Sequence, residues 1–302
     1  METEIYQALC KIAGADNVLN EEAMSCHTTF RTGGPAEWLV NPAAQDLPEI
    51  LKYCNKKKIP CFVIGNGSNL LVGDRGIRGV VVEIGKRMSE VSIDGTIITA
   101  QAGALLSAIA SKAAADGLTG FEFASGIPGS LGGAIVMNAG AYGGEMKDVL
   151  LEATVLDTEG NIKKLDAGKL ELSYRHSIIP ERDYVVLEAK LSLKKGDKAE
   201  IYGYMDELKE KRVSRQPLEY PSAGSTFKRP EGYFAGKLIE DSGLRGFRVG
   251  GAQVSEKHCG FVVNVEYATS ADIRNLIEQV QQIVFEKYGV KLEPEVKFAG
   301  EF

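Results

Sequence analysis

Three short pieces of the chain place reactive side chains in turn-forming surroundings: LSYRHS at 172–177, AGSTFK at 223–228 and LEPEV at 292–296. They carry a guanidinium (Arg175), a hydroxyl (Ser225) and a carboxyl (Glu295), groups that can grip an acid or move a proton. Taken singly, each has a plainer reading that outweighs the catalytic one. Arg175 reads as a structural ion-pair member, Ser225 as a turn residue and Glu295 as a solvated carboxylate. A second kind of chemistry belongs to the backbone. The stretch FEFASGIPGSLGGAIVMNAGAYGG, residues 121–144, holds seven glycines, at 126, 129, 132, 133, 140, 143 and 144, with Ser125 and Ser130 among them and one proline, Pro128. Such a run is expected to form no regular structure. It frees backbone N–H groups to bind anions and lets the chain approach a bound group closely. One or two glycines would mean only tight turns; this density predicts a buried cofactor lying along the chain. GNGSNLL at 65–71 offers a second loop of the same kind, emptying from an apolar run at 61–64. Arg31, before a Gly-Gly-Pro turn, is a surface charge by default and otherwise a cation folded over a phosphate.

Several function classes are excluded. GNGSNLL has Leu70 where a Rossmann fingerprint needs its third glycine, and the chain contains no G-x-x-x-x-G-K-[ST]. A net charge of −6 argues against a nucleic-acid partner, whose binding needs a cationic surface. His27, His176 and His258 lie far apart, and the five cysteines (10, 26, 54, 61 and 259) include no C-x-x-C, so no metal is expected and the thiols are read as reduced. The N-terminal METEIYQALCKIAG lacks the basic, apolar character of a signal peptide, and no window approaches the ~20 apolar residues of a membrane span. A cytoplasmic protein without membrane contact is expected.

The elements that must position these groups follow from periodicity and punctuation. Helices are predicted over 4–13, 46–58 (Asp46 as N-cap, Pro48 in the first turn), 103–116 (stopped by Gly117) and 269–288. The last carries Ile273, Leu276, Ile277, Val280, Ile283, Val284 and Phe285 on one face and stops at Gly289. Residues 61–64 predict a short buried strand. Hairpins are expected at 91–99, turning on Asp94-Gly95 as a type I′ turn, and at 152–165, with strands over 79–84, 183–193 and 261–265 and a β-like run over 290–298. The pattern is α+β rather than doubly wound. The charged segment 194–215 reads as a helix, with a domain boundary near 195.

Seven ordered pieces resemble the UDP-N-acetylenolpyruvoylglucosamine reductase family: TTFRTGGPAEW, VIGNGSNLLV, GFEFASGIPGSLGGAIVMNAGAYGGE, SYRHS, AGSTFKRP, AGKLIEDSGLRGFRVGGAQVSEKHCGFVVN and LEPEVKF. The resemblance covers nearly the whole chain. It implies a vanillyl-alcohol-oxidase-type fold: an N-terminal helix and lead-in (1–26), an FAD-binding domain of two subdomains (27–193) and a C-terminal α+β substrate-binding domain (194–302). It further implies non-covalent FAD, NADPH as hydride donor and UDP-N-acetylglucosamine enolpyruvate as substrate, reduced by a monomer. Hydride passes from flavin N5 to the enolpyruvyl β-carbon, and a proton reaches the α-carbon. Some relatives carry an extra substrate-domain segment whose tyrosine closes over the sugar nucleotide. This chain shows no counterpart and resembles the shorter type.

Carried onto this sequence, the resemblance implies Ser225 as proton donor with Arg175 and Glu295 as its catalytic companions. Hydride addition beside a carboxylate builds enolate-like charge, which needs donors where it develops. Arg175 offers a fixed fork for that carboxylate, and Glu295 fits beside it if protonated or bridged by water. FAD is expected on Arg31, Gly65, Asn66, Gly67, Ser68 and Asn69, and on Ser125, Gly126, Ile127, Pro128, Gly129, Ser130, Gly132 and Gly133. Tyr174, Lys228, Arg229, Lys237, His258 and Asn264 are the expected substrate contacts. Two competing readings are another flavin oxidase, tethering its flavin through His27 or Cys26, and a non-catalytic flavin or sugar-nucleotide sensor. Binding alone does not require a proton donor.

Overall fold

The computed structural model describes residues 2–302, and the chain divides into two compact units. The first holds residues up to 20, 38–66 and 79–212; the second holds 21–37, 67–78 and 213–302. Where the sequence suggested a linear division at 193 and 194, the two units interleave. The cause is pairing between segments far apart in sequence, which no local pattern reports.

In the first unit, helix α1 (Glu2–Ala13) is followed by α2 (Leu47–Lys57), which buries Leu47, Ile50, Leu51 and Cys54. Each of the leucines and the isoleucine contributes about 1.5–3 kcal/mol on burial. Asp46 precedes α2 as expected, but its carboxylate accepts from the Ala43 N–H at 2.9 Å rather than from the helix. Lys58, at φ 55°, ends the helix in the left-handed region. The strand Cys61–Ile64 pairs parallel with residues 80–83. It is not the buried strand expected. It lies at the edge of its four-stranded sheet, and of its residues only Ile64 is buried.

A five-stranded antiparallel sheet runs in the order Ile162–Asp166, Leu150–Leu156, Val185–Ser192, Ile97–Gln101, Val91–Asp94. In the last hairpin Asp94 pairs with Ile97, so the loop is Gly95-Thr96. Of those two, Gly95 alone has positive φ, at 62°, which rules out the expected type I′ turn and matches the requirement of type II′. The hairpin at 150–166 is closed by Asp157, whose carboxylate accepts the N–H groups of Asn161 and Glu159. The Asn161 N–H foremost, with Lys163 after it, pulls its pKa down to about 2.

Helix α3 (Leu106–Ala115) starts later than its sequence pattern, because Gly103 is held in a loop by its bond to the Met88 carbonyl at 2.8 Å. The glycine-rich stretch does contain regular structure, contrary to expectation: α4 (Leu131–Val136). Of its seven glycines only Gly143 has positive φ. Close approach explains three of the others. A Cβ would sit 3.0 Å from Ala102 Cβ at Gly132, 2.7 Å from the Gly144 carbonyl at Gly140, and 2.6 Å from the Phe123 ring at Gly144. Much of the glycine requirement is thus chain against chain. Helix α5 (Lys198–Arg215) carries the chain through the division at 212 and 213.

The second unit is organised on α7 (Ser270–Tyr288), which follows the short α6 (Ala235–Asp241). Thr269 and Asp272 form a reciprocal capping box, and Gly289, at φ 67°, ends the helix. Ile273, Leu276, Ile277, Val280 and Val284 are buried; Phe285, expected on the same face, is 51% exposed. Its position one residue past Val284 rotates it out of the stripe. A three-stranded antiparallel sheet (Arg248–Val249, Ala252–Val254, Val262–Asn264) packs with this helix. The β-like run at 290–298 is a strand only at Lys297–Ala299, paired parallel with Leu70–Val72. That pair explains why 67–78 belongs to this unit. Asp74 also accepts from the N–H groups of Ser270 and Ala271, at 2.8 and 2.9 Å. Among the described residues no helix is long and apolar enough to cross a membrane.

Candidate active site

In the first unit, Tyr174 and Arg175 form the tip of a two-residue turn. Ser173 and His176 exchange backbone bonds of 3.2 Å on either side of it. Arg175 sits at φ 55°, a conformation that costs a non-glycine residue free energy and collects at functional positions. Its guanidinium lies 5.1 Å from the Tyr174 ring centroid. The glycine-rich stretch holds this turn from both flanks. Asn138 Nδ2 donates to the Ser173 carbonyl at 3.0 Å, and Ser177 Oγ donates to the Val136 carbonyl at 2.8 Å. Asn138 is itself fully buried and donates to Glu145 Oε2 at 2.6 Å. The backbone that carries Arg175 is therefore held by hydrogen bonds on both flanks.

The same unit brings two glycine loops together. Asn66 Nδ2 donates to the Pro128 carbonyl at 2.8 Å, and a Cβ on Gly65 would fall 2.3 Å from Ser130 Oγ. Among the described residues, the backbone N–H groups of Gly65, Asn66 and Gly126 donate to no internal acceptor.

In the second unit, Ser225 and Glu295 share one ladder. The Glu295 N–H donates to the Thr226 carbonyl at 2.8 Å, and the Lys228 N–H donates to the Glu293 carbonyl at 2.8 Å. Phe227 and Pro294 form the bridge between these two bonds. Thr226 is the hub of the ladder and has no exposed surface. Its N–H donates to the Gly260 carbonyl at 2.8 Å, and its Oγ1 accepts the Val262 N–H at 2.9 Å. Ser225, next along the chain, is exposed, and Glu295 is half-buried. A second tie comes from Asn69, whose Nδ2 donates to the Glu295 carbonyl at 3.1 Å and whose carbonyl accepts the Lys297 N–H at 2.9 Å. The backbone at Glu295 and at Thr226, the residue after Ser225, is thus fixed by hydrogen bonds.

The other residues singled out in the sequence take varied places. Gly67 (φ 60°) and Asn69 serve the architecture of the second unit, as does Asn264. The Asn264 amide donates to the Phe30 carbonyl at 3.0 Å, and its oxygen accepts the Ala268 N–H at 2.9 Å, so its side chain ties two segments of the second unit. Lys228 pairs with Glu293 at 2.5 Å and Lys237 with Asp241 at 2.5 Å, one helical turn on. Arg229 lies 4.0 Å from the Phe234 ring centroid. His258 Nδ1 accepts the Gly260 N–H at 3.1 Å, which makes Nε2 the protonated nitrogen of the neutral ring; burial, with Arg245 nearby, pushes its pKa below the usual value. Arg31 is exposed, at φ 56°. His27 pairs with Glu22 at 3.1 Å, and no group of three or more His, Cys, Asp or Glu among the described residues could hold a metal ion.

Gly67 separates a structural from a ligand-binding glycine. An added Cβ would lie 1.9 Å from the His27 carbonyl oxygen, a backbone atom that cannot swing away. Gly67→Ala is expected to cost at least the ~1–2 kcal/mol of a left-handed non-glycine residue, and thermal unfolding of the flavin-free protein will show it. An unchanged melting temperature would refute the structural assignment.

Two residues escaped the sequence reading. Thr226 has no motif of its own; its role is visible only once residues 226 and 295 are paired. Arg212 sits in the charged helix α5, where it reads as a solvated face, yet it packs against Gly126. An arginine among the polar residues of a surface helix gives no local signal of burial.

Comparison with known proteins agrees with this geometry. An FAD-binding domain family matches residues 39–166, and the C-terminal domain of UDP-N-acetylenolpyruvoylglucosamine reductase matches residues 216–299. The UDP-N-acetylenolpyruvoylglucosamine reductase of Agathobacter rectalis is 59% identical over 297 residues, covering 94% of this chain and 95% of the relative. The crystal structure of UDP-N-acetylenolpyruvylglucosamine reductase from Thermus caldophilus superposes with a TM-score of 0.81 at 34% identity, covering 93% and 98% of the two chains. A substrate-bound p-cresol methylhydroxylase shares the fold at a TM-score of 0.50 and 16% identity, over 97% of this chain and 66% of that one. The architecture is therefore α+β, of the vanillyl-alcohol-oxidase type with an appended C-terminal domain, and the chain belongs to the UDP-N-acetylenolpyruvoylglucosamine reductase family.

Proposed function

We propose that this protein is a cytoplasmic, monomeric flavoenzyme that uses NADPH and non-covalently held FAD to reduce UDP-N-acetylglucosamine enolpyruvate to UDP-N-acetylmuramate, a step in building the peptidoglycan precursor. The observation that carries the reading is the 2.8 Å bond from the Glu295 N–H to the Thr226 carbonyl, which sets a carboxyl and the serine next to Thr226 on one ladder. Family membership over the whole chain supplies the substrate class.

The residues fit a flavin nucleotide. The N–H groups of Gly65, Asn66 and Gly126, on two loops that Asn66 ties together through the Pro128 carbonyl, are available to phosphate oxygens. FAD, once bound and reduced by hydride from NADPH, would supply hydride to the enolpyruvyl β-carbon. Arg175, preset at its turn, grips the substrate carboxylate and stabilises the negative charge that grows on it. Ser225 delivers a proton to the α-carbon. A hydroxyl is a weak acid, but an enolate carbon is basic enough to take its proton. Glu295, held by Thr226 and Asn69, completes the acid-binding set as a protonated or water-bridged carboxyl.

Thr226 tests the reading. Thr226→Val keeps the shape but leaves the buried Val262 N–H without its acceptor, which is expected to disturb the placement of Ser225 and Glu295. Stopped-flow absorbance should show NADPH reducing the flavin at the normal rate and the enolpyruvyl sugar reoxidising it about tenfold or more slowly, given ~1–3 kcal/mol for a buried donor left unsatisfied. Thr226→Ser should restore the second rate. Equal slowing of both half-reactions, or no rescue by serine, would contradict the positioning of Ser225 by this ladder.

A further inference from the structure

The guanidinium of Arg212 is set against Gly126 in the first unit. A Cβ added to Gly126 would meet Arg212 Cδ at 3.1 Å and Nη1 at 3.3 Å. Glycine here is what lets the arginine lie down on the cofactor loop. Among the described residues the Arg212 side chain has no ion pair and no hydrogen bond, although α5 around it is rich in carboxylates. The neighbouring charged or titratable group is the Tyr142 phenol, an acid too weak to neutralise it near pH 7. Tyr142 stands at the tip of the hairpin Gly140–Ala141 and Gly144–Glu145, where Tyr142 (φ 53°) and Gly143 (φ 91°) form a loop with positive φ at both positions. Burial also pushes the Arg212 pKa down, the mark of a cation partly stripped of water without compensation.

A solvated arginine would normally turn outward to water or to a glutamate of its own helix, so holding this one against a glycine loop costs the fold free energy. The same loop presents the unengaged N–H of Gly126. A guanidinium fork beside free backbone donors is the chemistry that receives an anion. We infer that Arg212 is an anion receptor for the bound flavin nucleotide, paired to the negative charge of that ligand rather than to any group of the protein. The charge has two sources in one molecule, the diphosphate and the reduced ring. This inference rests on the flavin reading given above but not on the identity of the sugar substrate.

The test compares wild type with Arg212→Met, which keeps the stem and removes the charge, and with Arg212→Lys. Full-length protein is stripped of flavin, its thermal unfolding is recorded, and FAD is titrated back by fluorescence quenching, with riboflavin in parallel. Arg212→Met should melt at or above the wild-type temperature without flavin, because an uncompensated cation has gone. Its FAD affinity should fall about ten- to a hundredfold, the value of a charge-assisted hydrogen bond, with Arg212→Lys in between. A loss with FAD that riboflavin does not share assigns the diphosphate. Unchanged affinity for oxidised FAD with a lowered flavin reduction potential assigns the reduced ring. Two outcomes overturn the inference: affinity and potential both unchanged in Arg212→Met, or a flavin-free protein that melts well below wild type, the behaviour of a structural residue. Wild-type protein that takes up no FAD would instead bring down the flavin reading itself.

Discussion

Ser225→Ala is expected to split the catalytic cycle in two. NADPH should reduce the flavin of the variant as fast as that of the wild type, because Ser225 is an exposed side chain on the second unit's ladder and no part of the glycine loops of the first. Reoxidation by the enolpyruvyl sugar nucleotide should slow about 10²–10⁴-fold, the range for loss of a positioned general acid. The fold should be untouched: the backbone bonds at Thr226 involve no atom of the serine side chain. A variant slowed equally in both half-reactions would mean that Ser225 acts through structure or flavin binding, and the proton-donor role would fall.

Glu295→Gln is the second large effect. The amide keeps the size of the carboxyl, and the bonds from the Glu295 N–H to Thr226 and from Asn69 to the Glu295 carbonyl are made by backbone atoms that the change does not alter. What is lost is the acidic proton or the water-binding carboxylate. Reoxidation should slow about a hundredfold or more, on the scale of losing one donor to a developing oxyanion, with flavin reduction normal. A rate equal to wild type would show that this carboxyl is structural. Combining the two substitutions should cost less than the product of the single losses, since neighbouring groups acting on one step do not contribute independently.

The sequence disclosed the elements more readily than their pairing. The apolar repeat through Ile273, Leu276, Ile277, Val280 and Val284, bounded by Thr269 and Gly289, located α7 closely because the stripe and its caps are local. Phe285 was misplaced because an aromatic residue in an apolar run says nothing about its angle round the helix. The glycine count in 121–144 pointed to close approach, yet at Gly132, Gly140 and Gly144 the partner proved to be the protein itself. The interleaving of the units was hidden for a different reason. Asn69 and Glu295 are 226 residues apart, and each looks like a loop residue until the parallel pair of Leu70–Val72 with Lys297–Ala299 brings them together. Thr226 and Arg212 were illegible for the same reason, since their importance lies in what they touch or fail to touch.

The proposed reaction couples oxidation of NADPH to reduction of the enolpyruvyl sugar. The most direct check is anaerobic NADPH consumption by the purified protein with and without UDP-N-acetylglucosamine enolpyruvate, oxygen being excluded because reduced flavin leaks electrons to it. Consumption that requires the enolpyruvyl sugar, matches it mole for mole and stops when it is exhausted is the predicted result. Flavin that NADPH reduces but the sugar nucleotide never reoxidises would contradict the proposed reaction while leaving the fold and its flavin site standing.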